Sequence, residues 1–226
     1  MRRLRALDLF CGAGGVAKGL QRAGFHVIGA DIDPQRNYCG EGFIQDDVMA
    51  LLALAVEDPS FITNDADFVW ASPPCQAYTD LQKQNKRAYD DLIAGVREAL
   101  EWIGLPYVIE NVEGAPLVDP VRICGASVPG LRVIRHRLFE SNVPLIGIDC
   151  PAEHPPVFTH DKRKAHYGQL DQNLSFVQVT GGGNATIANK RSAMGIDWMT
   201  NAEINEAIPP LYAQWIGVQL AAHLSA

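Results

Sequence analysis

One cysteine stands in a loop that is suited to hold a nucleophile. The apolar segment Asp67–Ala71 predicts a buried strand, and Ser72-Pro73-Pro74-Cys75-Gln76 follows it directly. The two prolines restrict the backbone before the thiol and so fix its position. A free cysteine is more often buried and inert than catalytic, but a thiol held rigidly just beyond a strand is placed for covalent catalysis. We therefore interpret Cys75 as a nucleophile.

A carboxyl group ends the next apolar segment. Tyr107–Ile109 predicts a strand, and Glu110-Asn111-Val112 continues it. If this strand neighbours the one before Cys75, the two side chains meet at one edge of the sheet. A thiolate and a proton-donating carboxylic acid then form a chemically sensible pair. The alternative for Glu110, a salt-bridged surface residue, is disfavoured because a charge at the end of a buried strand is costly unless it is used.

Two arginines form a third group. Arg135-His136-Arg137 lies in the segment 132–139, which we predict to be a strand. Arginines spaced by two on a strand project to the same face, where they could bind a base carbonyl or a phosphate. An exposed basic edge strand is the alternative.

A glycine-rich turn near the N-terminus predicts a cofactor site. Residues 10–15 read Phe-Cys-Gly-Ala-Gly-Gly and lie between a predicted strand and a predicted helix. Asp31 ends the second strand, where a carboxylate can accept hydrogen bonds from both hydroxyls of a ribose. This pattern suits any nucleoside-containing cofactor, NAD included, and a plain packing turn is the alternative. Asp47 could accept a hydrogen bond from an adenine amino group or cap the following helix.

The elements that must position these residues alternate between strand and helix. This alternation predicts an α/β fold with a mostly parallel sheet and helices on both faces. We expect a core over residues 1–141, an irregular insert over 142–196 and a returning segment over 197–226, with a helical break at Pro209-Pro210. The predicted strands are 4–10, 25–30, 42–47, 67–71, 107–109 and 132–139, and the predicted helices are 16–23, 49–57 and 89–103.

Composition limits the partners. The net charge of −7 argues weakly against nucleic acid, although local basic patches can bind phosphate on an acidic protein. There is no run of 18 apolar residues and no signal-peptide pattern, so we expect no membrane partner and a cytoplasmic location. We also expect a monomer. The basic clusters, each of which could equally be a solvated face, are Lys83, Lys86 and Arg87; Arg132, Arg135, His136 and Arg137; and Lys162, Arg163 and Lys164.

The sequence does not predict a metal. The five cysteines include no Cys-x-x-Cys pair, and a disulfide framework is not expected in a chain of this class. The candidate zinc ligands in the insert have a spacing that fits no standard finger and include one thiol, so we expect no metal site there. They are Cys150, His154, His160 and His166.

Together, the motifs resemble the C5-cytosine DNA methyltransferase family, and they occur in the family's order over most of the chain. The resemblance implies a Rossmann-like fold that binds S-adenosylmethionine, with a short target-recognition region in the insert. Pro-Cys-Gln and Glu-Asn-Val together are highly specific. The matching segments are Asp8–Gly15, Pro74–Gln76, Glu110–Val112, Arg135–Arg137, and Ala207–Pro210 with Ile216-Gly217.

The resemblance also implies roles. Cys75 would attack C6 of a cytosine flipped out of double-stranded DNA. Glu110 would hold N3 and the exocyclic amine and supply a proton. Arg137 would hydrogen-bond the cytosine O2, and Arg135 would support the same site. The enzyme would methylate C5 of cytosine in DNA, as in restriction–modification. The residues implied to bind S-adenosylmethionine are Phe10, Gly12, Gly14, Asp31, Ile32, Asp47, Val48 and Pro74.

Three places depart from the family pattern, and other functions stay open. Ile32 stands where the family carries an aromatic residue. Val133 stands where the family carries glutamine, and Asn205-Glu206 stands where it carries Gly-Asn. A tRNA cytosine-C5 methyltransferase would use the same catalytic set. A degenerate methylase acting as a DNA-binding subunit is disfavoured by the intact Cys75 and Glu110. A dehydrogenase would leave Pro-Pro-Cys-Gln unexplained.

Overall fold

A seven-stranded sheet forms the middle layer of the protein. The computed structural model describes residues 2–78, 91–158, 168, 170–171, 173–180 and 185–225. Within them the strand order is β3-β2-β1-β4-β5-β7-β6. The strands are β1 (Arg5–Leu9), β2 (His26–Asp31), β3 (Gly42–Gln45), β4 (Phe68–Ala71), β5 (Tyr107–Asn111), β6 (Val121–Cys124) and β7 (His136–Ser141).

The sheet is mostly parallel, as the sequence predicts. Strands β1 to β5 pair in parallel, whereas β7 runs antiparallel to both β5 and β6. The predicted strand over 132–139 is wrong at its start, because β7 begins at His136 and the preceding residues pair with the insert instead through Val133 and Val177. Strand β6 was not predicted, because four residues interrupted by Arg122 give little periodic signal.

Helices cover both faces of the sheet. Helices α1 and α7 pack together on one face, and α2 and α4 pack on the other. The predicted break at Pro209-Pro210 is confirmed, since one helix ends at Glu206 and the next begins at Pro210. Among the described helices, none has the length and apolar character needed to cross a membrane. The helices are α1 (Gly15–Arg22), α2 (Val48–Glu57), α3 (Ser60–Thr63), α4 (Ile93–Ile103), α5 (Ile187–Met194), α6 (Asn201–Glu206) and α7 (Pro210–Leu224).

Helix α7 approaches α1 at a glycine. A Cβ atom at Gly19 would lie 2.2 Å from the carbonyl oxygen of Pro210, so any larger residue would push the two helices apart. This contact fastens the C-terminal segment to the helix that follows the glycine-rich turn.

The insert packs onto the core. Val177, Val179 and Met194 are buried in the same apolar cluster as residues of α1 and α7. Lys190, in the unpredicted helix α5, is also buried. Its Nζ donates hydrogen bonds to the Thr180 carbonyl oxygen and to the side-chain oxygens of Asn201 and Asn205 in α6. Burial of these groups holds the base of the insert against the sheet.

The middle basic cluster is used inside the fold. Arg132 donates hydrogen bonds to the carbonyl oxygen of Ser175 and the hydroxyl of Ser192. The other members of that cluster also contact protein groups, as described below. The clusters at 83–87 and 162–164 lie outside the described residues.

A buried ion pair connects α4 to β7. Glu140 is buried, and its carboxylate accepts hydrogen bonds from Nε and Nη2 of Arg97 at 2.6 and 2.8 Å. The same carboxylate accepts a hydrogen bond from the backbone N–H of Val118 at 2.8 Å. Both oxygens of the Glu140 carboxylate therefore have hydrogen-bond partners within the fold.

Candidate active site

Strands β4 and β5 bring the predicted nucleophile and acid together. They are direct neighbours, with Ala71 opposite Ile109 in the register. The loop carrying Cys75 therefore leaves the sheet beside Glu110, which lies one residue further along β5. The two groups are close enough for Glu110 to affect the pKa of Cys75. The sequence analysis required these two strands to be neighbours, and the structure shows that they are.

Two polar side chains hold the loop before Cys75. Asn111 is buried at 1% exposure, and its Nδ2 donates a hydrogen bond of 2.9 Å to the carbonyl oxygen of Pro73. Trp70 Nε1 donates a hydrogen bond of 3.0 Å to the Ser72 hydroxyl. Sequence reasoning missed both Asn111 and Ser72 as positioning residues. The sequence did contain a signal for them: an amide and a hydroxyl at the ends of buried strands need hydrogen-bond partners.

Glu110 forms a buried ion pair with Arg137. Arg137 Nε lies 2.9 Å from Glu110 Oε1, and Glu110 is buried. Burial raises the pKa of the Glu110 carboxyl above its ordinary value, while Arg137 and a hydrogen bond from Ser72 lower it in part. A raised pKa enlarges the protonated fraction near neutral pH, which suits a group that must give a proton.

The thiol of Cys75 rests in its protonated form. Burial raises its pKa, and Glu110 adds to the rise, whereas the positive charges of Arg137 and Arg135 oppose it. Because the thiolate is the reactive form of a cysteine, the raised pKa lowers the reactivity of this thiol in the free protein.

Arg135 is a buried cation close to the Glu110–Arg137 pair. Contrary to the sequence-based prediction, it does not lie on a strand with Arg137, since β7 begins after it. Its two terminal nitrogens donate to the carbonyl oxygens of Val179 at 2.9 Å and Asn205 at 2.8 Å. Burial and the charge of Arg137 lower the pKa of Arg135 to about 9, so it stays cationic at neutral pH. It ties the insert and the C-terminal segment to the site.

The structure shows the surroundings of two departures from the family pattern, at Val133 and at Asn205-Glu206. Val133 is buried at 1% exposure and forms a bridge with Val177 of the insert, so an apolar residue fits this position. Asn205 accepts hydrogen bonds from Lys190 through Oδ1 and from Arg135 through its carbonyl oxygen. Glu206 is exposed.

The glycine-rich turn has a left-handed backbone at three positions. Phe10, Gly12 and Gly14 have φ angles of +57°, +48° and +84°, a region that favours glycine. The space beside Gly12 is open, with no heavy atom within 4 Å of an added Cβ. Asp31 accepts hydrogen bonds from the backbone N–H groups of Gly12 at 2.9 Å and Asp33 at 3.0 Å.

The remaining predicted cofactor residues lie in different settings. Ile32 is 63% exposed beside Asp31, and Pro74 is exposed beside Cys75. Asp47 accepts a hydrogen bond of 2.9 Å from the backbone N–H of Met49, so it caps α2, which was the alternative considered for it. Val48 is buried among core residues.

A comparison with known protein families shows which family this chain belongs to. The family described as C-5 cytosine-specific DNA methylase matches residues 4–116, half of the chain. The chain belongs to this family. The matched span includes the glycine-rich turn, Cys75 and Glu110.

The chain is also similar to one curated protein in sequence and to two solved structures in fold. The type II methyltransferase M.XorII of Xanthomonas oryzae pv. oryzae is 32% identical over 129 residues, which are 50% of this chain and 29% of that protein. The chain thus spans less than a third of that relative. A candidate DNA modification methyltransferase from an E. coli prophage gives a TM-score of 0.61 at 17% identity, over 99% of this chain and 100% of the other. S. pombe Dnmt2 gives 0.56 at 16% identity, with 99% of each chain covered.

The cofactor of this methylase family is S-adenosylmethionine. The structure fits that molecule, because the turn leaves open space at Gly12 and the Asp31 carboxylate stands fixed at the end of β2. Each carboxylate oxygen has a second lone pair that can still accept a ribose hydroxyl. Exposed Ile32 offers an apolar surface beside it.

We expect that the substitution Asp31→Ala weakens S-adenosylmethionine binding by about 1.5–3 kcal/mol, roughly 10- to 150-fold in Kd. The loss combines the ribose contacts with the hydrogen bond that holds the Gly12 N–H. Calorimetric titration measures it. Asp33→Ala is the matched control, because only the backbone of Asp33 contacts Asp31. An unchanged affinity in Asp31→Ala would rule out the ribose role.

Proposed function

We propose that this chain transfers a methyl group from S-adenosylmethionine to C5 of cytosine in double-stranded DNA, through a covalent bond between Cys75 and C6. The observation that carries the proposal is the placement of Cys75 beside the buried Glu110–Arg137 pair at the carboxyl edge of β4 and β5. Neither a structural thiol nor a surface ion pair requires that arrangement.

The chemistry assigns each residue a step. The Cys75 thiolate adds to C6 while Glu110 protonates N3, which converts the unreactive ring into an enamine with a nucleophilic C5. S-adenosylmethionine supplies the electrophilic methyl group that C5 takes up. Loss of the C5 proton to a base then expels the Cys75 thiolate and restores the ring. Arg137 orients Glu110 and is proposed to hydrogen-bond the cytosine O2.

DNA is the substrate favoured by the available relatives. The matching family is described as a DNA methylase, and M.XorII is a type II methyltransferase, so we propose a role in restriction–modification. The cytosine must leave the duplex to reach a half-buried thiol. Residues 142–196 are proposed to read the target, and Arg135 links that insert to the pocket through Val179.

A direct assay tests the substrate. The protein is incubated with methyl-labelled S-adenosylmethionine and with duplex DNA, single-stranded DNA or tRNA in parallel, and the methylated positions are sequenced. We expect label at C5 of cytosine within a short motif of the duplex. Label on tRNA alone would assign the chain to RNA, and absence of label from protein that binds the cofactor would favour a DNA-binding subunit.

A substrate analogue tests the covalent step. DNA with 5-fluorocytosine at the target is expected to form an adduct that survives denaturant when S-adenosylmethionine is present. Fluorine cannot leave C5 as a cation, so Cys75 stays bonded to C6. Gel mobility and peptide mass spectrometry detect the adduct. An adduct of equal yield in Cys75→Ala would place the bond on another residue.

A further inference from the structure

Four side chains outside the catalytic pocket converge on one point. Cys124, His136, Cys150 and His154 each present one ligand atom, and these atoms all lie within 4.8 Å of one another. His154 Nε2 is 3.3 Å from both Cys124 Sγ and His136 Nε2, and Cys150 Sγ is 3.3 Å from His136 Nε2. We propose that these four residues bind a structural zinc ion.

The distances suit a tetrahedral ion. With zinc bonds of about 2.0–2.3 Å, neighbouring ligand atoms lie about 3.3–3.8 Å apart. The three separations of 3.3 Å fall within a few tenths of an ångström of those edges. Two thiolates with two imidazoles favour zinc over the harder cations. Four protein ligands leave no open position for water, so the site would be structural.

The sheet brings the ligands together. Cys124 at the end of β6 lies directly opposite His136 at the start of β7. The chain then returns along β6, where Cys124 N–H donates to the Ile148 carbonyl at 2.9 Å. Cys150 and His154 follow that contact and are separated by three residues, a short spacing that can place both on one ion.

A carboxylate fixes the ring of His136. Glu113 Oε2 lies 2.9 Å from His136 Nδ1, so Nδ1–H donates to the carboxylate and Nε2 keeps its lone pair towards the cluster. This carboxylate–histidine pair is the usual support for a zinc-bound imidazole. His154 Nε2 faces two neighbours at once, which a single proton or lone pair cannot satisfy. A central cation satisfies all four ligands.

The site differs from the one considered on sequence alone. Cys150 and His154 belong to both sets, whereas the other two ligands come from strands rather than from the insert. His160 and His166 lie outside the described residues. The expectation that the chain holds no metal rested on linear spacing, which cannot show a pair formed across two strands.

The zinc ion would affect catalysis indirectly, by fixing the position of a neighbouring side chain. His136 lies between Arg135 and Arg137, and Arg137 pairs with Glu110. A zinc ion at His136 would fix the start of β7, and so fix the guanidinium that meets the catalytic acid. It would also fasten residues 150–154, at the beginning of the insert, to the sheet.

Metal content tests the proposal. The protein is purified without a polyhistidine tag from zinc-containing medium and analysed by mass spectrometry for metals. We expect about one zinc ion per chain, lost in Cys150→Ser and in His154→Ala. Cys39→Ser and His223→Ala are the matched controls and are expected to keep the zinc. Glu113→Ala is expected to lower zinc affinity about 10- to 100-fold.

Cobalt replacement in the unmodified chain provides a second measurement, which does not depend on the folding of any variant. We expect the intense visible bands of tetrahedral Co²⁺ together with thiolate-to-cobalt charge transfer. The proposal would be overturned by a wild-type protein without bound zinc, by zinc retained in both ligand variants, or by a weak octahedral cobalt spectrum. A Cys124–Cys150 disulfide in a metal-free wild-type protein would also overturn it.

Discussion

The substitution Cys75→Ser is expected to abolish methyl transfer while S-adenosylmethionine binding survives. Serine differs by one atom, and its hydroxyl is scarcely ionised at neutral pH, whereas the thiolate is the species that adds to C6. We expect turnover to fall by about 10⁴-fold or more, the scale seen when a covalent nucleophile is removed. Single-turnover transfer to target DNA measures the loss, and calorimetry measures cofactor affinity.

The resting state of Cys75 provides a check on its environment. Because burial raises the pKa of the thiol, the thiolate fraction at pH 7 is small and grows as pH rises towards that pKa. Alkylation of Cys75 by iodoacetamide, followed by peptide mass spectrometry, is therefore expected to accelerate with pH by up to about tenfold per unit. Serine-variant turnover near the wild-type rate would contradict the covalent mechanism.

The placement of Cys75 and Glu110 at one edge of the sheet could be predicted, because both follow recognisable strand segments. The prolines before Cys75 and the carboxyl group after Tyr107–Ile109 are visible in the sequence, and the neighbouring strands β4 and β5 then bring them together. The parallel direction of the first five strands follows from the alternation of strands and helices, whereas their order in the sheet was not predicted. Because β4 and β5 are parallel neighbours, the residues that follow them lie at the same edge of the sheet.

The remainder depends on contacts between distant residues. The hydrogen bond from Asn111 to Pro73 joins the end of β5 to the loop that follows β4, and Arg135 contacts Val179 and Asn205. No periodicity in either segment reveals such partners. The pairing of β6 with β7 is likewise invisible in a four-residue strand, and the proposed zinc site depends on it. These contacts could not be predicted, because the partner of each polar group is set by the packing of the whole sheet.

Glu110→Gln is expected to lower turnover by about 10²- to 10⁴-fold, the range for loss of a general acid. Glutamine keeps the shape and the neutral state of the protonated acid, but it cannot give a proton to N3. It also leaves the buried guanidinium of Arg137 without its carboxylate partner. Single-turnover methyl transfer at saturating S-adenosylmethionine measures the effect, and the 5-fluorocytosine adduct is expected to form more slowly in the same proportion.

Glu140→Gln separates chemistry from stability. Glu140 is a buried glutamate paired with Arg97, on the strand next to Glu110. Both substitutions deprive an arginine of its buried carboxylate partner. Both are expected to lower the free energy of unfolding, because each leaves an uncompensated cation. Of these two glutamates, only Glu110 affects the pKa of Cys75, so only its loss should slow methyl transfer below the melting temperature of both variants. If Glu140→Gln slows transfer as much as Glu110→Gln, the effect of Glu110 is on the fold, and another group must protonate N3.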